Sequence, residues 1–560
     1  MQLPTLDLAT LRAQTLGADA PIRTPFGERL LVYADYTASG RCLGFVEDYC
    51  CGLATLYGNS HTEDSLTGHT MTHLLHEAEA AIKRALNAGP SGKVICCGNG
   101  STGAIHKLQE ILGVAIPPAT LHFLRNSLGE EAVNTACEMQ PVVFVGPYEH
   151  HSNEVTWREG LVTVVEVGLD ADGALDLAHL DRLLQDPQYE GRKLMGSFSS
   201  ASNVTGLKSP VHEIARLLHS RGAIALFDYA ASAPYVPIDM NPAGDPEGKL
   251  DAVFFSPHKF IGGPGSSGVL VFDETLYPKH LPPTIGGGGT VDYVGPQGHD
   301  FTTDIEAREK AGTPGIFQVL RAALALEIKR ELGIETIRKR EHELLESALS
   351  RWTNHERIEI LGPAEPSKRI GIVSFNIADG EGGYLHPKLV TTLLSDLFGI
   401  QSRAGCSCAG PYGHRLLAID EETSERFRSI IREGHHGVKP GWCRVGLHYT
   451  MDDAEAAYVT EAVEFIADEG SCFVPLYDFD VETGYWTHKE VGMDLPDFSL
   501  TDALKASKPT LSAKPEEERR VLYAQALSEA RALAESLPHL ACDAKLEGEL
   551  GELQFFALAE

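Results

Sequence analysis

Short apolar runs alternate with amphipathic patterns through much of the first 270 residues. The apolar runs have the length of buried strands and are KVICCG, PVVFVG, LVTVVEV, KLMGSF, AIALFD and AVFF. From about residue 64 to 88, apolar positions recur at helical spacing, and a Gly-Pro pair then supplies a stop. The segment SPVHEIARLLHSRG predicts another helix, with Ser209 as N-cap, Pro210 in the first turn and Gly222 as the stop. Strands that alternate with helices predict an α/β domain with a largely parallel sheet.

The pattern changes after about residue 335. A helix in RKREHELLESALSRW is followed by the strand RIGIVSFNI, a further helix, a loop rich in glycine and cysteine, and a strand–helix pair. This order of elements predicts a smaller α+β domain. From Gly470 the sequence is irregular until one more helix, which begins near Pro515 and carries an apolar stripe at Leu522, Ala526, Ala530, Leu533 and Leu537. We therefore expect a large domain over residues 1–335, a small domain over 336–469 and an extension over 470–560.

Composition and charge narrow the class of protein. The 560 residues are 43% apolar and 22% charged, as expected of a globular chain, and the formal net charge is −31. So acidic a chain argues against a nucleic-acid partner or an anionic membrane surface. No apolar run approaches the roughly 20 residues that span a bilayer, and the N-terminus lacks the pattern of a signal peptide. Eleven cysteines in a chain of this length are not a disulfide framework, so we expect free thiols and a cytoplasmic location.

Polar residues follow five of the predicted strands, and open α/β sheets bind ligands beyond the carboxyl ends of their strands. After KVICC, the run GNGSTGAIHKLQEIL leads small residues into a helix whose amides and dipole favour a phosphate, although a plain turn fits as well. After PVVFVGP come His150 and His151, which suit stacking on an aromatic ligand, proton transfer, metal binding or a solvent-facing loop. After KLMGSF comes Asn203, in a segment that also fits a turn.

The last two strand ends carry opposite charges. Asp228 follows AIALF, where a buried carboxylate needs a cationic partner unless it caps a helix. Lys259 follows LDAVFF in SPHK, where a lysine either forms a Schiff base with an aldehyde or lies at the surface. Pyridoxal phosphate needs a phosphate cradle, a flat group on its ring, an acid against the pyridine nitrogen and a lysine on its aldehyde. Since all four appear in order at separate strand ends, we predict a pyridoxal phosphate site.

These residues together resemble the class V aminotransferase group of pyridoxal-phosphate enzymes, and most closely its cysteine desulfurase and selenocysteine lyase branch. The resemblance runs from about Tyr33 to Ala467 and is carried by the blocks YADYTASGR, YGNSHTEDS, EHHSN, SNVTG, SPHK, AGTPG and RAGCSCAG. It implies an α/β fold of fold-type I, like aspartate aminotransferase, with a large mostly parallel sheet domain and a smaller α+β domain. It also implies an amino-acid substrate.

The resemblance implies a role for each residue of the predicted site. His150 would stack on the cofactor ring and relay protons, Asn203 would hydrogen-bond the phenolic oxygen or the substrate, and Asp228 would pair with the ring nitrogen. Lys259 would carry the Schiff base. Four residues would hold the phosphate: Ser101, Thr102, Ser256 and His258. The resemblance implies no metal.

The resemblance also implies a homodimer with shared active sites. The segment AGTPG would lend Thr313 to the phosphate site of the partner subunit. The run GGGGT, over residues 286–290, resembles a loop that reaches the neighbouring active site, although a flexible glycine hinge fits it as well. A protein that accepts sulfur is the other partner that this resemblance implies.

The residues of the loop RAGCSCAGPYGHR indicate which reaction the enzyme would catalyse with the cofactor. Arg403 matches the family arginine that grips the substrate carboxylate, and Cys408, five residues later, matches the desulfurase nucleophile. Cys406 fits a relay, a resolving cysteine, a metal ligand with Cys408 or an inert neighbour, whereas Cys443 fits a packed thiol better than a third ligand. The loop also resembles the desulfurase-like domain of molybdenum cofactor sulfurases.

Three features depart from the family pattern. Family desulfurases usually carry Asp-x-x-Gln, whereas Asp228 is followed by YAA. Lys310 and Ala311 precede Gly312, where the family usually has a glutamate-like context. Residues 470–560 have no counterpart. We expect a structural cap there rather than an active-site cover, an acceptor site or an extension of the dimer interface.

The sequence thus predicts a cysteine desulfurase-like enzyme. It would remove sulfur or selenium from L-cysteine or selenocysteine through a persulfide on Cys408, and release alanine. The alternative is an epimerase, C–S lyase or aminotransferase on the same cofactor, which would need Lys259, Asp228 and Arg403 but not Cys408. A third hypothesis is a non-catalytic scaffold that binds the cofactor or carries sulfur, and the complete set of cofactor residues argues against it.

Overall fold

The computed structural model describes residues 6–60, 62–492, 514–538 and 542–559. Within these ranges the α-helices are α1 Leu8–Gln14, α2 Gly44–Ala54, α3 Leu66–Ala85, α4 Gly100–Ile111, α5 Pro118–Leu128, α6 Glu130–Cys137, α7 Val155–Arg158, α8 Leu177–Leu184, α9 Val211–Ser220, α10 Ile305–Arg308, α11 Ile316–Leu332, α12 Ile334–Trp352, α13 Pro387–Phe398, α14 Gly410–Leu416, α15 Glu421–Arg432, α16 Asp453–Glu469, α17 Glu516–Ser536 and α18 Glu549–Leu553. The strands are β1 Pro21–Thr24, β2 Gly27–Leu30, β3 Val32–Tyr33, β4 Gly92–Cys97, β5 Val142–Val145, β6 Thr163–Glu166, β7 Leu194–Ser199, β8 Ile224–Asp228, β9 Ala252–Phe255, β10 Gly268–Asp273, β11 Val291–Gly295, β12 Gly298–Phe301, β13 Ile358–Ile360, β14 Ile372–Ile377, β15 Ile400–Gln401, β16 Arg403–Gly405, β17 Trp442–Gly446, β18 Tyr477–Phe479 and β19 Trp486–His488. No helix in the part of the chain so described is long and apolar enough to cross a membrane.

The chain divides into two compact units. The large unit is Ala38–Arg338, and the small unit combines Met1–Thr37 with Lys339–Glu560. The expected boundary near residue 335 therefore lies close to the observed one, but the N-terminal segment belongs with the small unit. The reason is backbone pairing, because β3 pairs in parallel with β15.

The large unit is built on a seven-stranded sheet with the order β4-β10-β9-β8-β7-β5-β6. The five strands from β9 to β6 are parallel, and β10 runs antiparallel to both of its neighbours. Strands β5, β8 and β9 are almost wholly buried, which is why they read as continuous apolar runs rather than as an alternation. The predicted α/β domain with a largely parallel sheet is confirmed.

Helices α4 and α9 pack on this sheet, α9 against β8. Helix α4 lies against β9 and β10, and its Leu108 is fully buried in a cluster with Phe254 and Leu270. Burying one such side chain stabilises the fold by roughly 1.5–3 kcal/mol. Helix α9 was expected to start with Ser209 as its N-cap, but Pro210 takes that position. The Ser209 hydroxyl instead donates to the Ser199 carbonyl at 2.7 Å.

The small unit holds a four-stranded antiparallel sheet with the order β13-β14-β17-β16. Helix α17 of the predicted extension packs on α13 and α16 of the same unit. Ala526 and Ala530 of the predicted apolar stripe are buried. Leu522, Leu533 and Leu537 are only half-buried, and Tyr523, Leu527 and Ala534 are buried instead. Within the extension, residues 493–513 and 539–541 lie outside the described part of the chain.

Candidate active site

The N-terminus of α4 meets the ends of β8 and β9 in the large unit. The Ser101 hydroxyl donates to the carboxylate of Asp228 at 2.9 Å, and the Ser101 amide donates to the Ser256 hydroxyl at 2.8 Å. All three residues are buried. The predicted phosphate loop, ring acid and SPHK segment therefore lie together at the carboxyl edge of the sheet, where parallel α/β folds bind their ligands.

Gly100 leaves a cradle at the start of α4. Its φ angle is +61°, and a Cβ there would lie 2.6 Å from the Ser256 hydroxyl and 3.4 Å from Nε2 of His258. Any other residue would therefore bring a side chain between these two polar groups. A helix N-terminus lined with hydroxyls suits a phosphate, because the backbone amides and the helix dipole both favour an anion. Thr102, exposed in the first turn of the helix, adds a further hydroxyl.

Asp228 is a buried carboxylate at the end of β8. Burial raises its pKa, while hydrogen bonds from the Ala230 amide and Ser101 and the charge of Lys259 act in the opposite direction. A carboxylate in this position suits a protonated ring nitrogen, whose positive charge would offset the cost of burial. The donor set and the Gly100 cradle therefore both fit pyridoxal phosphate.

Lys259 ends a one-turn 3-10 helix, Pro257–Lys259, that directly follows β9. The turn is fixed through His258, whose carbonyl accepts from the Gly40 amide at 2.8 Å and from the Ser39 hydroxyl at 3.2 Å. Burial and the neighbouring Lys259 charge lower the pKa of His258 to about 4. His258 is therefore neutral at physiological pH, so it can donate or accept a hydrogen bond without adding charge beside the lysine.

His150 is oriented by Ser152. Its Nδ1 accepts from the Ser152 amide at 3.1 Å, so the neutral ring carries its proton on Nε2. The Ser152 hydroxyl in turn lies 2.6 Å from the hydroxyl of Thr102. The predicted ring-stacking histidine and the phosphate loop are thus joined by one serine. Asn203, also predicted for the site, is buried in the loop after β7.

Glu149 and Asn153 support this edge of the sheet and were not predicted. The Glu149 carboxylate accepts from Asn153 at 2.7 Å and from the Ser199 amide at 2.8 Å. Asn153 in turn accepts from Trp157 and Ser197. Burial raises the pKa of Glu149 to about 7. Both residues lie in the EHHSN block that carries the family resemblance, but neither of them was assigned a role from the sequence.

The segment AGTPG lies on the surface of the large unit. Thr313 is exposed, and its hydroxyl accepts from Asn59 at 3.1 Å. Lys310, one of the departures from the family pattern, forms an ion pair with the buried Glu79 at 2.6 Å. The ion pair with Glu79 therefore gives Lys310, which departs from the family pattern, a structural role within the large unit.

In the small unit, the cysteine loop forms a tight turn. The Ala409 amide donates to the Cys406 carbonyl at 3.1 Å, and the two residues between them have φ angles of +50° (Ser407) and +55° (Cys408). Two consecutive left-handed residues define a type I′ turn, which normally takes glycine, asparagine or aspartate. The backbone strain of such residues is typical of functional sites, and here it holds Cys408 exposed to solvent.

Two arginines share one carboxylate beside this turn. Arg403 donates to Asp35 at 2.9 Å and Arg444 donates to the other oxygen of Asp35 at 3.1 Å. Arg444 is buried, whereas about half of the Arg403 side chain is exposed. Burial lowers the pKa of Arg444, and the charges of Asp35 and Cys408 act in the opposite direction. A thiolate at Cys408 would therefore interact with Arg444.

Arg403 was predicted, but Asp35 and Arg444 were missed. Asp35 lies in the YADYTASGR block and Arg444 in GWCRVGLHY, far apart in sequence from each other. Cys443, beside Arg444, is buried, and burial raises its pKa to about 11. In the described ranges, no group of three or more histidine, cysteine, aspartate or glutamate side chains is arranged to hold a metal ion.

Comparison with known proteins identifies the family of the chain. The family model Aminotransferase class-V matches residues 125–459. A probable cysteine desulfurase of Halalkalibacterium halodurans is 30% identical over 390 residues, which are 68% of this chain and 84% of the relative. A probable cysteine desulfurase of Streptomyces coelicolor is 28% identical over 418 residues, covering 73% of this chain and 90% of the relative.

Solved structures share the fold. The apo cysteine desulfurase of Thermococcus onnurineus superposes with a TM-score of 0.61 at 22% identity, covering 78% of this chain and 95% of that protein. The cysteine desulfurase CsdA of Escherichia coli gives a TM-score of 0.60 at 20% identity, covering 82% and 98%. The predicted fold-type I architecture is therefore confirmed.

Proposed function

Because this chain belongs to the class V aminotransferase family of pyridoxal-phosphate enzymes, we propose that it is a cysteine desulfurase-like enzyme. It removes sulfur from L-cysteine, or selenium from selenocysteine, and releases alanine. The observation that carries this proposal is Cys408, an exposed thiol held on a strained turn beside the Arg403–Asp35–Arg444 group. An exposed thiol close to arginine side chains suits a nucleophile better than a packing residue.

The large unit would hold the cofactor with the residues described above. Asp228 would pair with the ring nitrogen, Lys259 would hold the aldehyde through its amine, and His150 would lie over the ring. The phosphate would lie at the start of α4 among Ser101, Thr102, Ser256 and His258. When bound, the cofactor supplies an electron sink for bonds broken at the substrate α-carbon.

We assign proton transfer to two side chains of the large unit. Lys259 directly follows β9, and its charge favours the carboxylate form of the buried Asp228. Its amine is the base that we assign to the α-proton of the substrate. His150 carries its proton on Nε2, because Nδ1 is occupied by the Ser152 amide. It is therefore the group that we assign to proton exchange with the substrate or the cofactor oxygen, and Asn203 would position that oxygen.

The small unit supplies the substrate-binding arginine and the nucleophile. Arg403 uses Nε to bind Asp35, so its terminal amino groups can form a bidentate pair with the substrate carboxylate. The Cys408 thiolate would attack the substrate sulfur. An S–S bond forms as the Cβ–S bond breaks, and the electron pair of the broken bond stays with the carbon, which gains a proton. The enzyme is left with a persulfide, and the carbon skeleton leaves as alanine.

The partners and the compartment are part of the same proposal. The exposed Thr313 and the exposed glycine run over residues 286–289 suit contact with a second copy of the chain, as expected for a homodimer with shared active sites. A protein sulfur acceptor would take the persulfide sulfur. All eleven cysteines are free thiols, which suits the reducing cytoplasm.

One observation favours the second candidate, another amino-acid reaction on the same cofactor. The residue after Asp228 is Tyr229, which is fully buried and whose amide donates to the Phe254 carbonyl at 2.9 Å. The following two residues are alanines, so this loop presents no glutamine toward the ring oxygen. An epimerase, C–S lyase or aminotransferase would not depend on Cys408.

The decisive experiment is alanine and sulfide production from L-cysteine by the cofactor-loaded protein. The matched variants are Cys408→Ala and, as a control for an exposed thiol of the large unit, Cys51→Ala. We expect alanine formation to vanish in Cys408→Ala and to persist in Cys51→Ala. Alanine formation that is absent from the parent protein, or that survives loss of Cys408, would overturn the proposal in favour of the second candidate.

A further inference from the structure

Cys406 and Cys408 occupy the first and third positions of one turn. The turn is closed by the hydrogen bond from the Ala409 amide to the Cys406 carbonyl at 3.1 Å. Its two central residues are both left-handed, with φ angles of +50° and +55°. Ala409, which closes the turn, is fully buried and anchors it to the small unit. Both thiols therefore project from a single restrained segment.

The backbone of this turn keeps the two thiols close. Consecutive Cα atoms are about 3.8 Å apart, so in a chain that reverses direction the first and third Cα atoms lie less than about 7 Å apart. A persulfide on Cys408 extends that side chain by a further S–S bond of about 2 Å. The terminal sulfur of such a persulfide is then within the reach of a neighbouring cysteine side chain.

The two thiols differ in exposure. Cys408 is exposed, whereas Cys406 is half-buried. Cys443 lies on strand β17, which pairs with β16, and it is buried. Burial raises the pKa of its thiol to about 11. Only Cys406 combines proximity to Cys408 with access to solvent in this part of the small unit. A sulfur atom on Cys406 would be more sheltered than one on Cys408.

We propose that Cys406 is a second persulfide-carrying residue, which takes the terminal sulfur from the persulfide on Cys408. This inference rests on the proposed function, since it needs a persulfide on Cys408. The Cys406 thiolate attacks the terminal sulfur, a new S–S bond forms at Cys406, and the S–S bond at Cys408 breaks. The electron pair of the broken bond returns Cys408 to a thiolate. One sulfane sulfur moves between two thiolates, so no oxidant or reductant is required.

The consequence is a doubled sulfur capacity per chain. With its thiolate regenerated, Cys408 can attack a second substrate molecule before any acceptor arrives. In the absence of added thiol or acceptor, the parent protein should form about two alanines per chain before it stalls. The Cys406→Ser variant should form about one, a twofold loss, because only Cys408 can hold sulfur. The Cys408→Ser variant should form none.

The test is rapid-quench measurement of the alanine burst, with mass spectrometry of alkylated peptides to locate the sulfur. A persulfide on Cys406 in the parent protein, together with the twofold loss in Cys406→Ser, supports the proposal. A burst of one alanine in the parent, a burst of two in Cys406→Ser, or a Cys406–Cys408 disulfide overturns it and leaves the proposed function standing. A parent protein that forms no alanine overturns the proposed function instead.

Two controls keep this result interpretable. The Cys51→Ser variant changes an exposed thiol of the large unit and should keep the burst of two. The cofactor absorbance of Cys406→Ser should match that of the parent, which would show that its site is intact. If the serine variant does not fold, peptide mapping of the parent protein still decides the question, since sulfur found on Cys408 alone overturns the proposal.

Discussion

Arg403 and Arg444 lie directly opposite each other on strands β16 and β17 and share the carboxylate of Asp35. Two guanidinium groups on one carboxylate leave a net positive charge at this place. Arg444 is buried, whereas Arg403 is half exposed. The Asp35 carboxylate therefore links the exposed guanidinium group of Arg403 to the buried guanidinium group of Arg444. This arrangement positions Arg403 for an anionic substrate group without leaving Arg444 uncompensated.

Removing the charge of Asp35 should destabilise the protein. In Asp35→Asn, the buried Arg444 loses its counter-ion, which typically costs about 3–5 kcal/mol. Denaturant unfolding should therefore show a lower midpoint. Asp172→Asn is the matched control, because Asp172 is exposed in a turn and should change stability by less than about 0.5 kcal/mol. Equal midpoints for Asp35→Asn and the parent would show that Asp35 does not stabilise Arg444.

Asp228 should be required for chemistry more than for cofactor binding. In Asp228→Asn, the hydrogen bond from Ser101 is kept while the charge opposite the ring nitrogen is lost. We expect alanine formation to fall by about 10²-fold or more, with a shifted cofactor absorbance. The exposed Asp300→Asn provides a control of equal charge change. Activity within twofold of the parent in Asp228→Asn would contradict the assignment.

Glu149 should make folding stability depend on pH. Its folded pKa of about 7 lies above the value of 4.5 expected in the unfolded chain, because burial penalises the carboxylate. The folded state therefore holds this proton more tightly. The resulting stability is fully present below pH 4.5 and is lost as pH rises through about 7, by up to about 3 kcal/mol. The unfolding free energy of the parent minus that of Glu149→Gln should fall by about 2.5 kcal/mol from pH 5 to 8. A pH-independent difference would refute the prediction.

The strained turn at Ser407 should tolerate only residues that accept a left-handed backbone. Ser407→Gly removes the Cβ penalty and should keep or slightly raise stability, by about 1 kcal/mol at most. Ser407→Val places a β-branched side chain at a φ angle of +50° and should misplace Cys408. We expect the alanine burst to slow at least about tenfold in Ser407→Val. The cofactor spectrum should stay unchanged in both variants, and equal burst rates would argue against a positioning role for the turn.

The sequence could place the candidate cofactor residues near one another because each of their signals is local. An apolar run followed by a polar residue identifies a strand end, and the parallel sheet then gathers Ser101, Asp228 and Ser256 at one edge. The Asp35–Arg444 pair has no such local signature, because the two residues are 409 positions apart. They meet through tertiary backbone pairing, including a hydrogen bond from the Gly446 amide of β17 to the Ala34 carbonyl at 2.7 Å. The N-terminal segment was assigned to the large domain for the same reason.

Predictions from local sequence also failed where a side chain forms a tertiary hydrogen bond or ion pair. Ser209 has the residue type of an N-cap, but its hydroxyl is used by the Ser199 carbonyl and lies 2.8 Å from that of Tyr148. On α17, the buried face also includes Arg519, which forms ion pairs with Asp19 and Asp452. A charged residue is expected at the surface from its polarity, so no local signal in the sequence indicates these tertiary ion pairs.

The discontinuous small unit has a consequence for how the chain matures on the ribosome. The large unit, Ala38–Arg338, is continuous and can fold as it emerges. The small unit cannot close until β15 reaches β3, and helix α17 must emerge later still to bring Arg519 to Asp19. The turn around Cys408 belongs to the small unit and is therefore completed late in synthesis. The nascent chain can fold the unit that contains Asp228 and Lys259 before the unit that contains Cys408.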